Sequence, residues 1–275
     1  MPALAHAWPL ARSFDFSGDK VRYRSEGSGP DLVLVHGTPF SSYVWHHILP
    51  KIVAHWRVHV FDLLGYGQSA MREGQDVSLG IQNKVLGAFL AHLDLETPSI
   101  VAHDFGGATT LRAHLLDGIE FAQMLLVDPV AIRPWGSSFV QHVARHEAAF
   151  LGMPAYIHEA MVARYLRGAM FKAMTDEVLA PYVAPWLGAE GQPAFYRQIA
   201  QMDQHYTDEI EPRLATIRCP VSILWGEEDQ WIPLAQGRKL QAMIPGSRVD
   251  TIPSAGHLVQ EDAPDAIVAA IGALR

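Results

Sequence analysis

An α/β fold, with a mostly parallel twisted sheet flanked by helices and an inserted helical cap, follows from three features of the sequence. Short apolar runs alternate with longer helix-like segments. The runs are almost continuously hydrophobic, as strands buried on both faces should be. The alternation breaks once, over about eighty residues without a strand-like run.

Along the chain, "SFDFSGDKVRYRSEG" reads as an opening hairpin turned at Gly18-Asp19. The runs "DLVLVHG", "RVHVFDLLG", "SIVAHDFG", "QMLLVDP", "VSILWGEED" and "RVDTIPSAGH" follow. They are short and rich in β-branched residues, which favours strand over helix. Between them, "GIQNKVLGAFLAHLDL" and "GATTLRAHLLDG" carry helical periodicity. The strand-free stretch is amphipathic, as in "AYIHEAMVARYLRGAM", and holds Trp135, Trp186 and five tyrosines. A connection that long needs structure of its own. The division expected is a core of residues 1–132 and 213–275, with residues 133–212 as a helical cap over the strand ends.

The 275 residues, 49% of them hydrophobic, are enough for a well-buried core and argue against disorder. The net charge of -8, with no Lys/Arg cluster, excludes a phosphate-binding stripe, so no nucleic-acid partner is expected. No run approaches the ~20 apolar residues of a membrane helix. The opening "MPALAHAWPLARS" lacks the basic start and continuous apolar stretch of a signal peptide. A lone cysteine, Cys219, forms no internal disulfide. A cytoplasmic protein without a membrane partner, monomeric or homodimeric, is the expectation.

Ligands of an open parallel sheet bind beyond the carboxyl ends of its strands. The residues expected there are "HGTP" with Thr38, Asp104 in "VAHDFGGA", Asp128, Asp229 in "GEEDQWIP" and His257 in "SAGH". Asp104 sits where an apolar strand turns sharply into two glycines and a helix, a turn that demands small neighbours. A capping role alone would not explain its partners at other strand ends. His142 and His146, four apart and followed by Glu147, have no evident third ligand; these and His46-His47 are expected to be solvated or packed, with no metal and no cofactor.

The order Asp104, Asp229, His257 along nearly the whole chain resembles the α/β-hydrolase fold, whose nucleophile elbow is written G-x-S-x-G. Here it reads Ala102-His103-Asp104-Phe105-Gly106, and no serine elsewhere stands in that motif. Aspartate at the apex resembles the aspartate-nucleophile branch. Haloalkane dehalogenases are similar in "HGTPFSSYVWHHILPKI", and epoxide hydrolases share H-G-x-P and an H-D-aromatic-G-G elbow. Fluoroacetate dehalogenases share H-D-x-G but carry arginine where this chain has Phe105. The spacing "WGEED" is similar to W-G-x-x-D, which favours Asp229 over Glu227 and Glu228. Asp128 is the alternative acid, as some haloalkane dehalogenases use an acid after that strand.

The resemblance implies a hydrolase in which Asp104 forms an alkyl ester at saturated carbon and His257, oriented by Asp229, activates water to hydrolyse it. A carboxylate is already ionised at neutral pH and suits displacement of a halide or a strained epoxide oxygen. The amides of Thr38 and Phe105 would form the oxyanion hole. The substrate expected is a small apolar organic molecule, with water as co-substrate. The longer similarity leans to carbon–halogen cleavage; epoxide opening to a diol is the alternative. Dehalogenases usually place tryptophan after the nucleophile, and Phe105 offers no side-chain donor. Donors must then come from the Thr38 hydroxyl, from Trp135 or Trp186, or from the cap tyrosines Tyr156, Tyr165, Tyr196 and Tyr206, which epoxide hydrolases would require. An ester or C–C-bond hydrolase and a non-catalytic hydrolase-like binding protein are the readings from other classes.

Overall fold

The computed structural model describes residues 8–274, so residues 1–7 of the opening stretch lie outside the described residues. Among the described residues eight strands form one sheet: β1 (Arg12–Phe16), β2 (Asp19–Glu26), β3 (Asp31–Val35), β4 (Arg57–Phe61), β5 (Ser99–His103), β6 (Gln123–Val127), β7 (Val221–Gly226) and β8 (Arg248–Ile252). Their order is β1-β2-β4-β3-β5-β6-β7-β8. The first two junctions are antiparallel and the other five parallel.

The six apolar runs became β3 to β8. β5 is buried at every position, and β3 and β6 at all but the first, because helices cover both faces. The hairpin turns one residue earlier than expected, at Ser17-Gly18. Both residues have positive φ (53° and 90°), the requirement of a two-residue turn matched to strand twist. Asp19 already pairs with Phe16 in the ladder.

Between β6 and β7 the described residues contain no strand. The longer helices in the interval are Ser138–Arg145, Ala155–Arg167, Asp176–Val183 and Gly188–Ala200. Ser137 and Thr175 accept hydrogen bonds from the Val140 and Val178 amides, which starts two of them. Apolar side chains from the inserted helices, including Trp186, Phe195 and Ile199, are fully buried with those of the sheet. The Trp186 indole donates to the Pro39 carbonyl at 2.7 Å, which fastens the insertion to the loop after β3. Among the described residues no helix is long and apolar enough to cross a membrane.

β3 lies between β4 and β5, so the chain leaves it towards one side and returns on the other. The crevice beyond the carboxyl ends of β3 and β5 is therefore the switch point of the sheet.

Candidate active site

At that crevice β5 ends in His103, and Asp104 turns the chain into the helix Phe105–Asp117. Asp104 has φ 50° and ψ −119°, a conformation sparsely populated by non-glycine residues. The turn is held by close packing. A Cβ on Gly106 would lie 2.5 Å from the Val35 carbonyl, and one on Gly37 would lie 2.3 Å from the Asp104 Cβ. Only glycine lets the β3 loop and the elbow approach this closely.

Two different elements hold the Asp104 carboxylate. The Thr38 amide, after β3, donates to Oδ1 at 2.7 Å, and the Thr38-Pro39 bond is cis. His257, after β8, places Nε2 3.4 Å from Oδ2. His257 Nδ1 is 2.8 Å from Asp229 Oδ2, and the other Asp229 oxygen accepts from the amides of Trp231 (2.7 Å) and Ile232 (2.9 Å). All three side chains are buried.

Burial penalises charge on Asp104, but the His257 imidazole, with Nε2 3.4 Å away, outweighs it, with a weaker share from the Phe105 amide. The carboxyl is held below the usual carboxylate range. Burial likewise opposes protonation of His257, yet Asp229 and Asp104 together push its pKa well above that of free histidine.

Asp128 takes no part in this chain of hydrogen bonds. One oxygen accepts from the Gly226 amide at 2.9 Å, and the other has no hydrogen-bond partner among the described residues. Burial, then the charge of Asp229, raises its pKa well above the ordinary value. The acid beside the imidazole is thus Asp229. Asp229 is also the acid that the motif spacing favours, although both acids stand at strand ends on the same edge.

A cavity of about 40 Å³ lies against Asp104, lined among others by Thr38, Phe105, Trp135, Tyr165 and Trp231. Trp231 stacks on Tyr165 (centroids 4.7 Å apart, planes at 14°) and lies 4.9 Å from the His257 ring.

Of the aromatic residues expected to reach this space, three do not. Tyr156 is 72% exposed. The Tyr196 hydroxyl is 2.6 Å from His158 Nδ1, inside the insertion. Tyr206 lies under the Arg112 guanidinium. Amphipathic periodicity shows that a helix has an inner face, but not which residue of that face meets Asp104. The indoles are also occupied: Trp135 borders the cavity but donates to Thr207 Oγ1 at 2.9 Å, and Trp186 serves Pro39. The Thr38 hydroxyl donates to Gln198 Oε1 at 2.6 Å, so it is not free to serve a leaving group. Tyr165 remains. Its hydroxyl pKa is raised by burial and then by the nearby Asp104 charge, so it stays a proton donor.

Sequence reasoning missed three neighbours. His103 Nε2 is 2.9 Å from the His257 carbonyl, and burial drives its pKa down to about 3, which keeps the ring neutral. Its signal was present in the residue before the elbow apex. Trp231, two residues after Asp229, was visible in "EEDQWIP". Gln198, with Tyr66 at 3.2 Å, had no signal, because only packing of a distant helix brings it to Thr38.

Chemically, the arrangement presents an ionised oxygen to a small cavity, with a backbone donor on its twin oxygen and an acid-supported imidazole at its side. Comparison with known proteins agrees with the fold. A model described as "Alpha/beta hydrolase family" matches residues 32–270. The chain is 26% identical over 270 residues to Haloalkane dehalogenase 2 of Mycobacterium tuberculosis, covering 95% of this chain and 93% of that protein. It is 28% identical over 268 residues to a haloalkane dehalogenase of Mesorhizobium japonicum, covering 89% and 84%. A crystal structure of an alpha/beta hydrolase fold protein from Burkholderia ambifaria is 55% identical and superposes with a TM-score of 0.93 over 95% of this chain and 97% of that one. The chain belongs to the alpha/beta hydrolase family and is an enzyme of the hydrolase type.

Proposed function

We propose that the protein is a dehalogenase-type hydrolase that works through an alkyl ester on Asp104. The observation that carries this reading is the separate holding of the two Asp104 oxygens. Oδ1 is bound by the Thr38 amide, Oδ2 stands 3.4 Å from His257 Nε2, and Asp104 lines the cavity. A helix-capping aspartate would instead engage the amide two or three residues on, and Asp104 makes no such capping bond.

In the first step Oδ2 attacks a saturated carbon of the substrate. The new C–O bond forms as the carbon–leaving-group bond breaks, and the leaving group departs with the electron pair. Asp104 loses its charge. His257 then has one carboxylate partner fewer, gives up its proton to solvent as the leaving group departs, and becomes a base. Water attacks the ester carbonyl carbon and gives a proton to Nε2. The developing oxyanion at Oδ1 meets the Thr38 and Phe105 amides. Cleavage returns the alcohol and the free carboxylate.

Carbon–halogen cleavage is the first substrate reading, supported by the haloalkane dehalogenases among the relatives. The cavity suits a substrate of few heavy atoms. Epoxide opening is the second, favoured by one observation: Tyr165 borders the cavity, and among the described residues its hydroxyl meets no protein acceptor, which leaves it an acid able to protonate a ring oxygen as it opens.

The test is His257→Gln, incubated with small halogenated alkanes and with small epoxides, then weighed intact. The ester on Asp104 should accumulate. A halide substrate adds its alkyl group, whereas an epoxide adds its whole mass. Absence of an adduct across the panel, with ester turnover retained by the wild type, would overturn the reading in favour of acyl or C–C hydrolysis. Absence of both adduct and turnover would favour a binding protein.

A further inference from the structure

We propose that His46, His47 and Glu261 form a binding site for a divalent transition-metal ion of the zinc class, at the seam between the sheet and the inserted helices. His46 and His47 follow the 3-10 turn Ser42–Trp45. Glu261 lies in the short turn Val259–Asp262, four residues after His257. The chain brings together here, from segments more than two hundred residues apart, the third ligand that the His46-His47 pair lacks in sequence.

The geometry is that of ligands sharing an ion. Each Glu261 oxygen faces a different imidazole: Oε1 is 3.6 Å from His46 Nδ1, and Oε2 is 3.6 Å from His47 Nε2. The three donor atoms lie within 4.8 Å of one another. A separation of 3.6 Å is long for a hydrogen bond. It is close to the ~3.4 Å between two ligands that each stand about 2.0–2.1 Å from one tetrahedral zinc. The Glu261 side chain is only 4% exposed, and among the described residues its only ionic partners are these two imidazoles. A buried carboxylate so placed is costly unless a cation compensates it.

Surrounding groups orient the ligands, as outer partners of metal sites do. The Tyr182 hydroxyl, from the inserted helices, donates to Glu261 Oε1. The Tyr43 ring stacks on His46 at 4.2 Å with planes 5° apart. His46 Nδ1 also meets the Tyr43 carbonyl at 2.9 Å, a bond that ligation through Nδ1 would exchange for the metal. His47, half exposed, leaves solvent a route to the remaining coordination position. His142 and His146 differ: their rings lie 4.8 Å apart, and no third ligand joins them among the described residues. An ion at Glu261 would tie the loop after β3 to the turn after His257 and, through Tyr182, to the insertion.

The test is calorimetric titration of Zn²⁺ into tag-free, chelator-treated and desalted protein, with thermal melts in parallel. The wild type should bind one equivalent saturably and melt at higher temperature with Zn²⁺. His47→Gln, at a surface position that should fold normally, and Glu261→Gln should each weaken binding by about tenfold or more. The double variant His142→Gln/His146→Gln should bind like the wild type. The proposal is overturned if the wild type shows no saturable binding, if His47→Gln binds as the wild type does, or if binding is lost only in the His142/His146 variant.

Discussion

His257 Nε2 stands 3.4 Å from Asp104 Oδ2 while its Nδ1 is 2.8 Å from Asp229 Oδ2. The imidazole is thus shared by two carboxylates of different standing. Asp229 is held by two backbone amides and forms no covalent bond in the proposed cycle. Asp104 loses its charge when it is esterified. The same histidine can therefore be cationic at rest and basic in the ester, without any movement.

A pH prediction follows from the signs. Asp104 is held below the usual carboxylate range chiefly by His257, against burial. Ester formation in the wild type should therefore persist into acid and fail only as pH falls through that lowered pKa. In His257→Gln, burial acts with less opposition, so the acid edge of ester formation should move to higher pH. Single-turnover rates of both proteins against pH check this; superimposable edges would refute the linkage.

The two buried acids should behave differently on neutralisation. Asp229→Asn removes the charge behind His257 and should slow ester hydrolysis by roughly 10²–10⁴-fold, so the adduct builds up. Asp128 is already favoured in its neutral form, and asparagine can still accept from the Gly226 amide. Asp128→Asn should turn over within a few-fold of the wild type. Pre-steady-state kinetics of the two variants decide; the reverse pattern would make Asp128 the working acid.

Gly37→Ala places a methyl group 2.3 Å from the Asp104 Cβ, inside a packed crevice with no flexible neighbour to yield. We expect a loss of about 1–3 kcal/mol in stability, read by denaturant unfolding, together with loss of adduct formation in the folded fraction. Normal alkylation in this variant would mean that the elbow is looser than its packing implies.

The hydroxyls around the cavity should separate by function. Thr38→Val keeps the amide but removes the donor to Gln198, so it should cost about 1 kcal/mol of stability and leave kcat within a few-fold. Tyr165→Phe removes the acid at the cavity and should slow epoxide opening by roughly 10²-fold or more. Its effect on halide displacement should be smaller, because a halide leaves without a proton. A larger loss in Thr38→Val than in Tyr165→Phe would reverse these roles.

Much of this protein was legible before any coordinate. Apolar runs announced six strands because burial on both faces leaves little room for polar residues. Asp104 declared itself because a sharp strand-to-helix turn requires glycines in a fixed local pattern, and Asp229 and His257 stood in recognisable spacings after later strands. These features are local, so sequence carries them. The hairpin turn was misplaced by one residue because Ser17, rather than Asp19, takes positive φ, and either residue type tolerates it. Tertiary structure alone selected Tyr165 over Tyr156, Tyr196 and Tyr206, occupied the indoles of Trp135 and Trp186, turned the Thr38 hydroxyl towards Gln198, and brought Glu261 to His46 and His47. Each of those outcomes depends on how helices far apart in the chain rotate against the sheet. That rotation is set by close packing of many side chains at once, which no single stretch of sequence records.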